Sequence, residues 1–446
     1  MKTSLRNLLL IALATPLQAQ EPLTLPAAVE RALARFPSVE AARARQQQAQ
    51  EALAEAQAGR GPRGRVTASA TQYEEPMVIT PIHGFGPGLF PEFDETLIQG
   101  QLALSYTLWD GGATGARVRA AGSQLEGAGA ALGAAEQALA ARVASAYLTA
   151  LGKARVLAAH DTRLGALSAE LERARLRLEA GKAPQVEVLR AEATLASAQS
   201  QRVSLTAALD NAERDLARLL SVPVEETRAP RLAVSALANP SAPDREALAQ
   251  AGIEASPAVA QARTQLAVAE ANVSLAESAL KPELRAVANL NDWSSSQGHG
   301  ATEWNAGFQV SVPLFDSGAT QRRIAGAEAA RRAAAEQVRL AETQVREDVD
   351  RAAAGVEEAQ ARIESLEKAA ERFAEVVRVQ KLLLDNGAGT QTDYLNAEAD
   401  LLGARASLAE AGQAVILARV DLARAAGQLT PAWLRENLRE DVETKP

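Results

Sequence analysis

Few side chains in this sequence could support catalysis or metal binding. The chain has no cysteine and three histidines, His83, His160 and His299, each of which we expect to be a surface residue. Without cysteine there can be no disulfide, thiolate zinc site or lipidated N-terminal cysteine, and three scattered histidines are too few for a histidine-built metal centre. The glycine-rich stretch 84–88 neither follows a buried strand nor opens a helix, so we do not expect it to cradle a phosphate. We therefore expect a protein that is not an enzyme, with no cofactor and no bound metal.

Two acidic side chains stand at the same distance from a turn glycine. Glu187 lies six residues after Gly181, and Asp393 lies six residues after Gly387. If several copies of such a carboxylate faced one narrow lumen, like charges would crowd where the field is focused, and cations would pass more readily than anions. The alternative is a solvated acid in the first turn of a helix, where the helix dipole stabilises it.

The spacing of these pairs reflects an internal duplication. Residues 109–114 align with 315–320 at an offset of 206, and the turn glycines keep the same offset. Upstream, Pro37 matches Pro257 at an offset of 220. The 14-residue difference indicates an insertion in the first copy, within the Pro- and Gly-rich stretch 74–95.

Both copies have the same predicted order of elements. A helical stretch, at 26–58 and again at 244–280, comes first; two strands, a long helix and a shorter helix follow. The first repeat is predicted to cover 20–222, with strands at 65–73 and 97–109, a long helix at 113–180 and a short helix at 185–220. A Pro-rich joint at 223–243 separates it from the second repeat at 244–428, which has strands at 283–292 and 303–315, a long helix at 319–385 and a short helix at 391–426. Residues 429–446 are predicted to form a C-terminal tail.

The two long helical runs carry a heptad-like apolar stripe and contain no proline. At 1.5 Å per residue each would reach roughly 100 Å. A helix of this length needs partners along all of it, which predicts an elongated bundle or a helical barrel.

The predicted strands alternate between apolar and small polar residues. In water this pattern is typical of a half-buried hairpin, and in a membrane it is typical of a barrel wall with lipid outside and water inside. Aromatic rings are favoured at the headgroup level of a membrane. Most of the chain's large aromatic residues cluster in or beside these strands: Tyr73, Phe85, Phe90, Phe93, Tyr106, Trp109, Trp293, Trp304, Phe308 and Phe315.

The N-terminus predicts export. Residues 1–19 combine Lys2 and Arg6 with a short apolar run and a small residue at Ala19, which is typical of a secretory signal peptide. No later run reaches 18 uncharged apolar residues, so we expect a soluble exported protein or a β-barrel rather than a helical span. The formal net charge of −8 argues against nucleic acid as a partner.

Four strands cannot close a barrel, and an open sheet edge cannot stand in lipid. Two chains would give eight strands, whose interior is filled by side chains, whereas three would give 12 strands and a water-filled lumen. The long helices would continue the tube away from the membrane. Each strand-to-helix junction has an Asp that can cap the helix and a Gly that permits a tight bend, Asp110 with Gly112 and Asp316 with Gly318.

The chain resembles the TolC-like outer membrane efflux proteins. The resemblance covers residues 23 to about 428 and rests on the two-copy plan, the Asp-x-Gly junctions and the helix turns at 177–181 and 386–390. It implies an α+β membrane protein: a homotrimer that shares a 12-stranded β-barrel in the outer membrane of a Gram-negative bacterium, with a long α-helical barrel across the periplasm. It also implies that a periplasmic adaptor protein and an inner-membrane pump are partners.

The resemblance assigns roles to both helix turns. By it the turns are tips that dock an adaptor, with Arg177, Leu178, Gly181, Leu384 and Gly387 on the family's pattern. Gly at a helix end is also ordinary turn chemistry, which leaves docking a hypothesis.

By the same resemblance Asp393 is a gate acid, with Glu187 as its counterpart in the first copy. The position of a second gate acid holds Asn396, and that of a locking arginine holds Gly389. This departure predicts a loosely closed channel at rest.

The function that these features predict is an outer membrane channel of a tripartite efflux or type I secretion system. The alternative is an exported coiled-coil scaffold without a conduit, which explains the heptads and the acidic charge but not the four alternating segments. A hydrolase on a helical stalk is a more distant alternative. Drugs, metal ions and polypeptides all remain possible cargo.

Overall fold

The computed structural model describes residues 22–79, 92–229, 232, 234–237, 244–298 and 300–441. The predicted signal peptide, most of the copy-one insertion with His83 and the glycine-rich stretch, and His299 lie outside the described residues.

The helices and strands follow the duplication. Those of the first half are α1 (Leu25–Arg35), α2 (Pro37–Ala58), β1 (Arg63–Val78), β2 (Phe93–Trp109), α3 (Ala113–Glu179) and α4 (Gln185–Leu220). Strand β3 (Val234–Leu237) lies in the joint. Those of the second half are α5 (Arg245–Ala255), α6 (Pro257–Ser278), β4 (Glu283–Ser295), β5 (Gly300–Ser311), α7 (Ala319–Asp385) and α8 (Gln391–Ala425). Helix α9 (Pro431–Asn437) and strand β6 (Leu438–Asp441) follow.

The first helical stretch of each copy is broken in two, and the prediction of one continuous stretch at 26–58 and at 244–280 was wrong. Phe36 and Ser256 have extended backbones, with ψ of 131° and 124°, and the next helix begins at Pro37 or Pro257. The proline ring clashes with a helical conformation of the residue before it. The same ring suits the first position of a new helix, where no amide is needed.

The strands differ from their predicted bounds mainly at their ends. Strand β1 covers 63–78 instead of 65–73, and β2 begins at residue 93 instead of 97. The added residues are largely polar, so the alternation of hydrophobicity gives no signal there. Strand β4 runs three residues beyond its predicted end, and β5 begins three residues early and ends at Ser311 instead of residue 315. Pro313, two residues beyond that end, cannot donate a ladder hydrogen bond.

The four long strands form one antiparallel sheet in the order β1-β2-β4-β5. One row across it pairs Val66 with Leu102, Leu102 with Leu290, and Leu290 with Trp304, and all four side chains are exposed. An exposed apolar face of this kind suits lipid rather than water. The outer edges of β1 and β5 have no partner strand among the described residues.

The helices continue the order of the strands. Helices α2 and α4 pack along α3, α6 and α8 lie between α3 and α7, and α7 forms the other edge. Each long helix is therefore lined by two shorter helices in succession. The result is a single layer four helices wide that prolongs the four-stranded sheet.

The main apolar core lies near the middle of this layer. Tyr147 on α3 is fully buried, and its hydroxyl donates a hydrogen bond of 2.6 Å to the carbonyl oxygen of Leu23. Leu216, Leu220 and Leu434 pack into the same cluster, in which α4 lies on α3 and α9 lies on α1.

Three elements of this region, β3, α9 and β6, had no sequence-based prediction. Strand β3 of the Pro-rich joint pairs antiparallel with β6, and α9 precedes β6 in what was expected to be only a tail. Strands of four residues are too short to show a periodicity.

Helix α8 is long and apolar enough to cross a membrane by length and composition, with a mean hydropathy of 1.2 over 18 residues. It packs along α7 and α3 in the helical layer. Only 22% of its most apolar 18-residue stretch is buried in the single chain.

The junctions between sheet and long helices are built alike in the two copies. The carboxylate of Asp110 accepts hydrogen bonds from the amides of Gly112 (3.1 Å) and Thr114 (2.7 Å). The carboxylate of Asp316 accepts the same two bonds, from Gly318 (3.0 Å) and Thr320 (2.7 Å). Each acid therefore satisfies free amides at the start of a long helix.

These hydrogen bonds lower both carboxyl pKa values. Bonds from the hydroxyl and amide of Thr320 and the amide of Gly318 hold the pKa of Asp316 below its ordinary value. Partial burial acts to raise the pKa of Asp110, but the bonds from Thr114 and Gly112 outweigh it, so that pKa is lowered too. A carboxyl whose pKa is lowered by folding stabilises the fold above its unfolded-state pKa of about 4, and the stabilisation is lost as the pH falls through the folded-state value.

The double variant Asp110→Asn, Asp316→Asn should therefore have a lower Tm than the wild type at pH 7, and the gap should close as the pH falls below about 4. Thermal unfolding of the detergent-solubilised protein, followed by helical circular dichroism across this pH range, measures both effects. A Tm gap that is equally large at pH 7 and at the acid end would show that the charges do not stabilise the junctions.

Candidate functional site

The candidate site is the end of the layer opposite the sheet, where α3 turns into α4 and α7 turns into α8. In the first turn the amide of Gly181 donates to the Leu178 carbonyl (2.9 Å), and the amide of Lys182 donates to the Arg177 carbonyl (2.8 Å). This pair of bonds is a Schellman motif, and Gly181 takes the left-handed φ of 69° that the motif needs.

The second turn repeats the motif. The amide of Gly387 donates to Leu384 (3.1 Å) and that of Ala388 to Leu383 (2.8 Å), with Gly387 at φ 73°. A Cβ added at either turn glycine would meet no atom within 4 Å. A side chain there would therefore strain the backbone without a steric clash.

The two candidate gate acids have different surroundings. Asp393 is exposed in the first turn of α8, where its amide donates to the Thr390 hydroxyl oxygen (3.2 Å) and the Thr390 hydroxyl donates to its carboxylate (2.6 Å). Thr390 is thus the N-cap of α8, and its hydroxyl also holds the Asp393 side chain; the Thr-x-x-Asp pattern was a readable helix-start signal. Glu187 is half-buried in the first turn of α4, and its Oε2 lies 3.8 Å from an Nη of Arg177. Asn396 is exposed one turn beyond Asp393.

The two turns enclose a cleft of about 360 Å³ between them. Across it Arg190 of α4 donates a hydrogen bond of 3.5 Å to the hydroxyl of Thr392 on α8. The cleft is lined by Arg177, Glu187, Leu384 and Gly389, among other residues. The cleft thus brings together some of the predicted docking and gate residues of both copies, whereas Leu178, Gly181, Gly387, Asp393 and Asn396 do not line it.

A polar network ties α8 to α3 beside this cleft. Glu170 of α3 is buried, accepts a hydrogen bond from the side-chain amide of Gln391 and pairs with Arg173 at 2.8 Å. The Tyr394 hydroxyl donates to Glu398, and burial first, then this carboxylate, raises the Tyr394 pKa. The contact between the two helices was not predictable from the sequence, because Glu170 and Gln391 are 221 positions apart and share no motif.

Large apolar side chains near the turns are uncovered in the single chain. Leu176 is 64% exposed, Leu189 is 55% exposed and Leu382 is 54% exposed. Apolar surface of this kind next to polar residues is typical of an interaction surface.

His160 differs from its prediction. It was expected at the surface, but it is 4% exposed on α3, and neither ring nitrogen has a hydrogen-bond partner. The expectation was wrong because a helix with partners on both flanks buries positions outside its apolar stripe. Among the described residues there is no group of three or more His, Asp or Glu side chains that could hold a metal ion.

The chain belongs to the outer membrane efflux protein family, whose family model matches residues 28–222 and 248–428. Its members are outer membrane channels of tripartite pumps rather than enzymes. The chain is accordingly an outer membrane efflux channel that extends into the periplasm, as the sequence predicted, and the scaffold alternative finds no support.

Individual relatives agree with this assignment. The outer membrane efflux protein BepC of Brucella suis is 25% identical over 340 residues, which span 74% of this chain and 72% of BepC. Protein CyaE of Bordetella pertussis is 33% identical over 237 residues, 51% of this chain and 49% of CyaE. The fold is similar to the crystal structure of VceC from Vibrio cholerae, with a TM-score of 0.74 and 21% identity over 90% of this chain and 96% of VceC.

Proposed function

We propose that three copies of this chain close into one tube that is the passive conduit of a tripartite system. The observation that carries the proposal is the pair of open edges in a single chain. Strands β1 and β5 lack outer partners among the described residues, and these two edges differ from each other. Different edges join head to tail, which generates a ring. Three chains supply 12 strands, enough for a water-filled lumen.

The helices support the same closure. Helices α3 and α7 are both 67 residues long, but α3 buries 17 residues and α7 buries five. The bare flank of α7 lies at one edge of the layer, and α2 and α4 lie at the other. In the proposed ring, α7 of one copy packs against α2 and α4 of the next.

The tips would dock a periplasmic adaptor, which links the channel to an inner-membrane pump. The turns lie about 100 Å from the sheet, at the end of the molecule that reaches deepest into the periplasm. Arg177, Leu178, Gly181, Leu384 and Gly387 form or flank the two turns. The uncovered leucines beside them offer apolar contact area, and the rigid Schellman turns fix their position.

The acids of the first helical turns would set the selectivity of the periplasmic entrance. Asp393 is exposed, so three copies could present their charge to one lumen. Arg177 lies close to Glu187 and partly compensates its charge, so we expect a weaker contribution from Glu187. With Asn396 and Gly389 at the other gate positions, the closed state is held loosely.

The first test concerns assembly. Native mass measurement of the detergent-extracted complex should give three chains, because three is the smallest number that provides both a closed barrel and an open lumen. A monodisperse monomer that retains its full strand content would contradict the closed ring.

The second test concerns docking. In the double variant Gly181→Val, Gly387→Val, a β-branched side chain is forced into left-handed backbone at a cost of about 1–2 kcal/mol per site. Efflux should fall while outer membrane insertion stays intact. Gly403→Val is the matched control, since Gly403 lies within helix α8 and has open space around it. Full efflux by the double variant would count against docking through these turns.

The third test concerns selectivity. In planar bilayers the wild-type channel should prefer cations, and multivalent cations should block it from the periplasmic side. Asp393→Asn should reduce both the preference and the block, and Glu187→Gln should act in the same direction but more weakly. Asp215→Asn removes an exposed carboxylate from α4 far from the tip and should change neither.

Equal selectivity and equal block in the wild type and in the double variant Asp393→Asn, Glu187→Gln would mean that both acids only stabilise helix starts.

A further inference from the structure

Two arginines occupy equivalent positions in the sheet. Arg65 of β1 and Arg285 of β4 are separated by 220 residues, the offset that relates the two copies in this region. Each is the third residue of its strand, counted from the end that joins the helical layer. The duplication thus places the same charged side chain at the equivalent strand position twice in every chain. Their rows meet β2 four residues apart, at Ala103 and Thr107, and the tilt of strands in a closed barrel brings such staggered positions to a similar depth.

Both arginines lie on the polar face of the sheet. Arg65 pairs with Ala103, and the same row continues through Asn289 to Asn305, whose side-chain amides are hydrogen-bonded at 2.9 Å. Arg285 pairs with Thr107 on one side and Gln309 on the other.

The neighbours along each strand face the opposite way. Tyr106 pairs with Ala286, and Ala286 pairs with Phe308, in an exposed apolar row. With the apolar face toward lipid, the arginines point into the lumen.

The strand order spaces the arginines evenly. In the order β1-β2-β4-β5 they stand on the first and third strands. Thr107 and Gln309, each third from the same end of β2 and β5, stand between them. Three chains joined edge to edge would therefore carry an arginine on every second strand, six in all. A 12-stranded barrel has a backbone radius of about 12 Å, so these side chains converge on a narrow passage.

The charges near the ring do not cancel it. Arg63 lies on the same face as Arg65, and Glu283, the residue equivalent to Arg63, pairs with Arg285 at 2.6 Å. Each chain then contributes three arginines and one glutamate. The carboxylates at the junctions below, Asp110 and Asp316, keep their charge, but each interacts with an arginine of its own long helix, Arg117 and Arg323 respectively.

On the side of the ring away from the helices, the next two lumen-facing residues of each strand carry no charge. Those residues are all uncharged: Thr67, Ser69, Ala103, Ser105, Val287, Asn289, Gly307 and Asn305.

We propose that this arginine ring, at the periplasmic base of the barrel, binds multivalent anionic groups of solutes in transit. Guanidinium groups bind phosphate and carboxylate oxygens bidentately and keep their charge at any physiological pH. The ring rests on the proposed trimer and is opposite in sign to the acids at the tip. A solute therefore meets a cation-favouring entrance first and an anion-binding ring about 100 Å later.

Block of single-channel current by inorganic tripolyphosphate tests the ring. Tripolyphosphate added on the extracellular side should block the wild-type channel, and added salt should weaken the block by screening. The double variant Arg65→Gln, Arg285→Gln should raise the half-blocking concentration by about tenfold or more, equivalent to at least 1.4 kcal/mol of binding free energy. Block by multivalent cations from the periplasmic side should stay unchanged, because the tip acids are intact.

Two control variants separate the ring from general charge effects. The double variant Arg65→Lys, Arg285→Lys keeps the charge and should keep most of the block. Arg339→Gln removes an exposed arginine from α7 about 30 Å below the barrel and should leave the half-blocking concentration unchanged. An equal rise with Arg339→Gln would overturn the assignment to the ring.

The outcomes also separate the ring from the conduit itself. A wild-type channel that conducts, with the same half-blocking concentration as its Arg65→Gln, Arg285→Gln variant, would overturn the ring and leave the conduit standing. A wild-type trimer that inserts without conducting would overturn the proposed conduit and the ring together.

Discussion

A backbone amide or carbonyl exposed to hydrocarbon has no water to bond, and this constraint governs the molecule. The sheet presents an apolar face along four strands and leaves both of its outer edges open. Such a sheet is stable in a membrane only when another sheet completes it. Each edge of the chain is therefore one side of an interface with a neighbouring chain. The strand order, the helix order and the bare flank of α7 all indicate such a neighbour.

The internal duplication gives each chain two similar sets of strands and junctions with which to form these interfaces. Strands β1 and β4 lead away from the helices, and β2 and β5 return through junctions with the same Asp-x-Gly pattern. Any side chain that is the same in both copies recurs at every second strand or at every second tip. In a ring of three chains, pairs such as Gly181 with Gly387 and Arg65 with Arg285 are therefore related by approximate sixfold symmetry. The symmetry is approximate because the two copies within each chain differ in sequence.

Sequence reasoning succeeded where a long pattern carried the signal. Sixty-seven residues of apolar periodicity locate α3 and α7 almost to the residue, and alternation locates the centres of all four long strands. It failed where the signal was short or non-local. The breaks before Pro37 and Pro257 depend on one residue each, and β3 and β6 are four residues long.

The site was predictable in the same uneven way. The turn glycines and first-turn acids follow from helix-end chemistry, and the N-cap pattern Thr390-x-x-Asp393 was readable although it was overlooked. The contact of Glu170 with Gln391 was not readable, because no local rule links a mid-helix glutamate to the first turn of a helix 221 residues away. Burial of His160 likewise depends on the packing of separate helices.

The position of the main core also has a mechanical consequence. The cluster around Tyr147 grips α3 near its middle, about 50 Å from the turn at Gly181. Beyond it toward the turn, packing relies on smaller contacts such as the patch of Leu171, Ala174, Val188 and Ala191. A tilt of the helices would thus pivot at this cluster, and the outer half of the helices would move the most. A tilt of about 5° at the cluster would carry the tip through about 4 Å, comparable to the width of a side chain, with little repacking of the core.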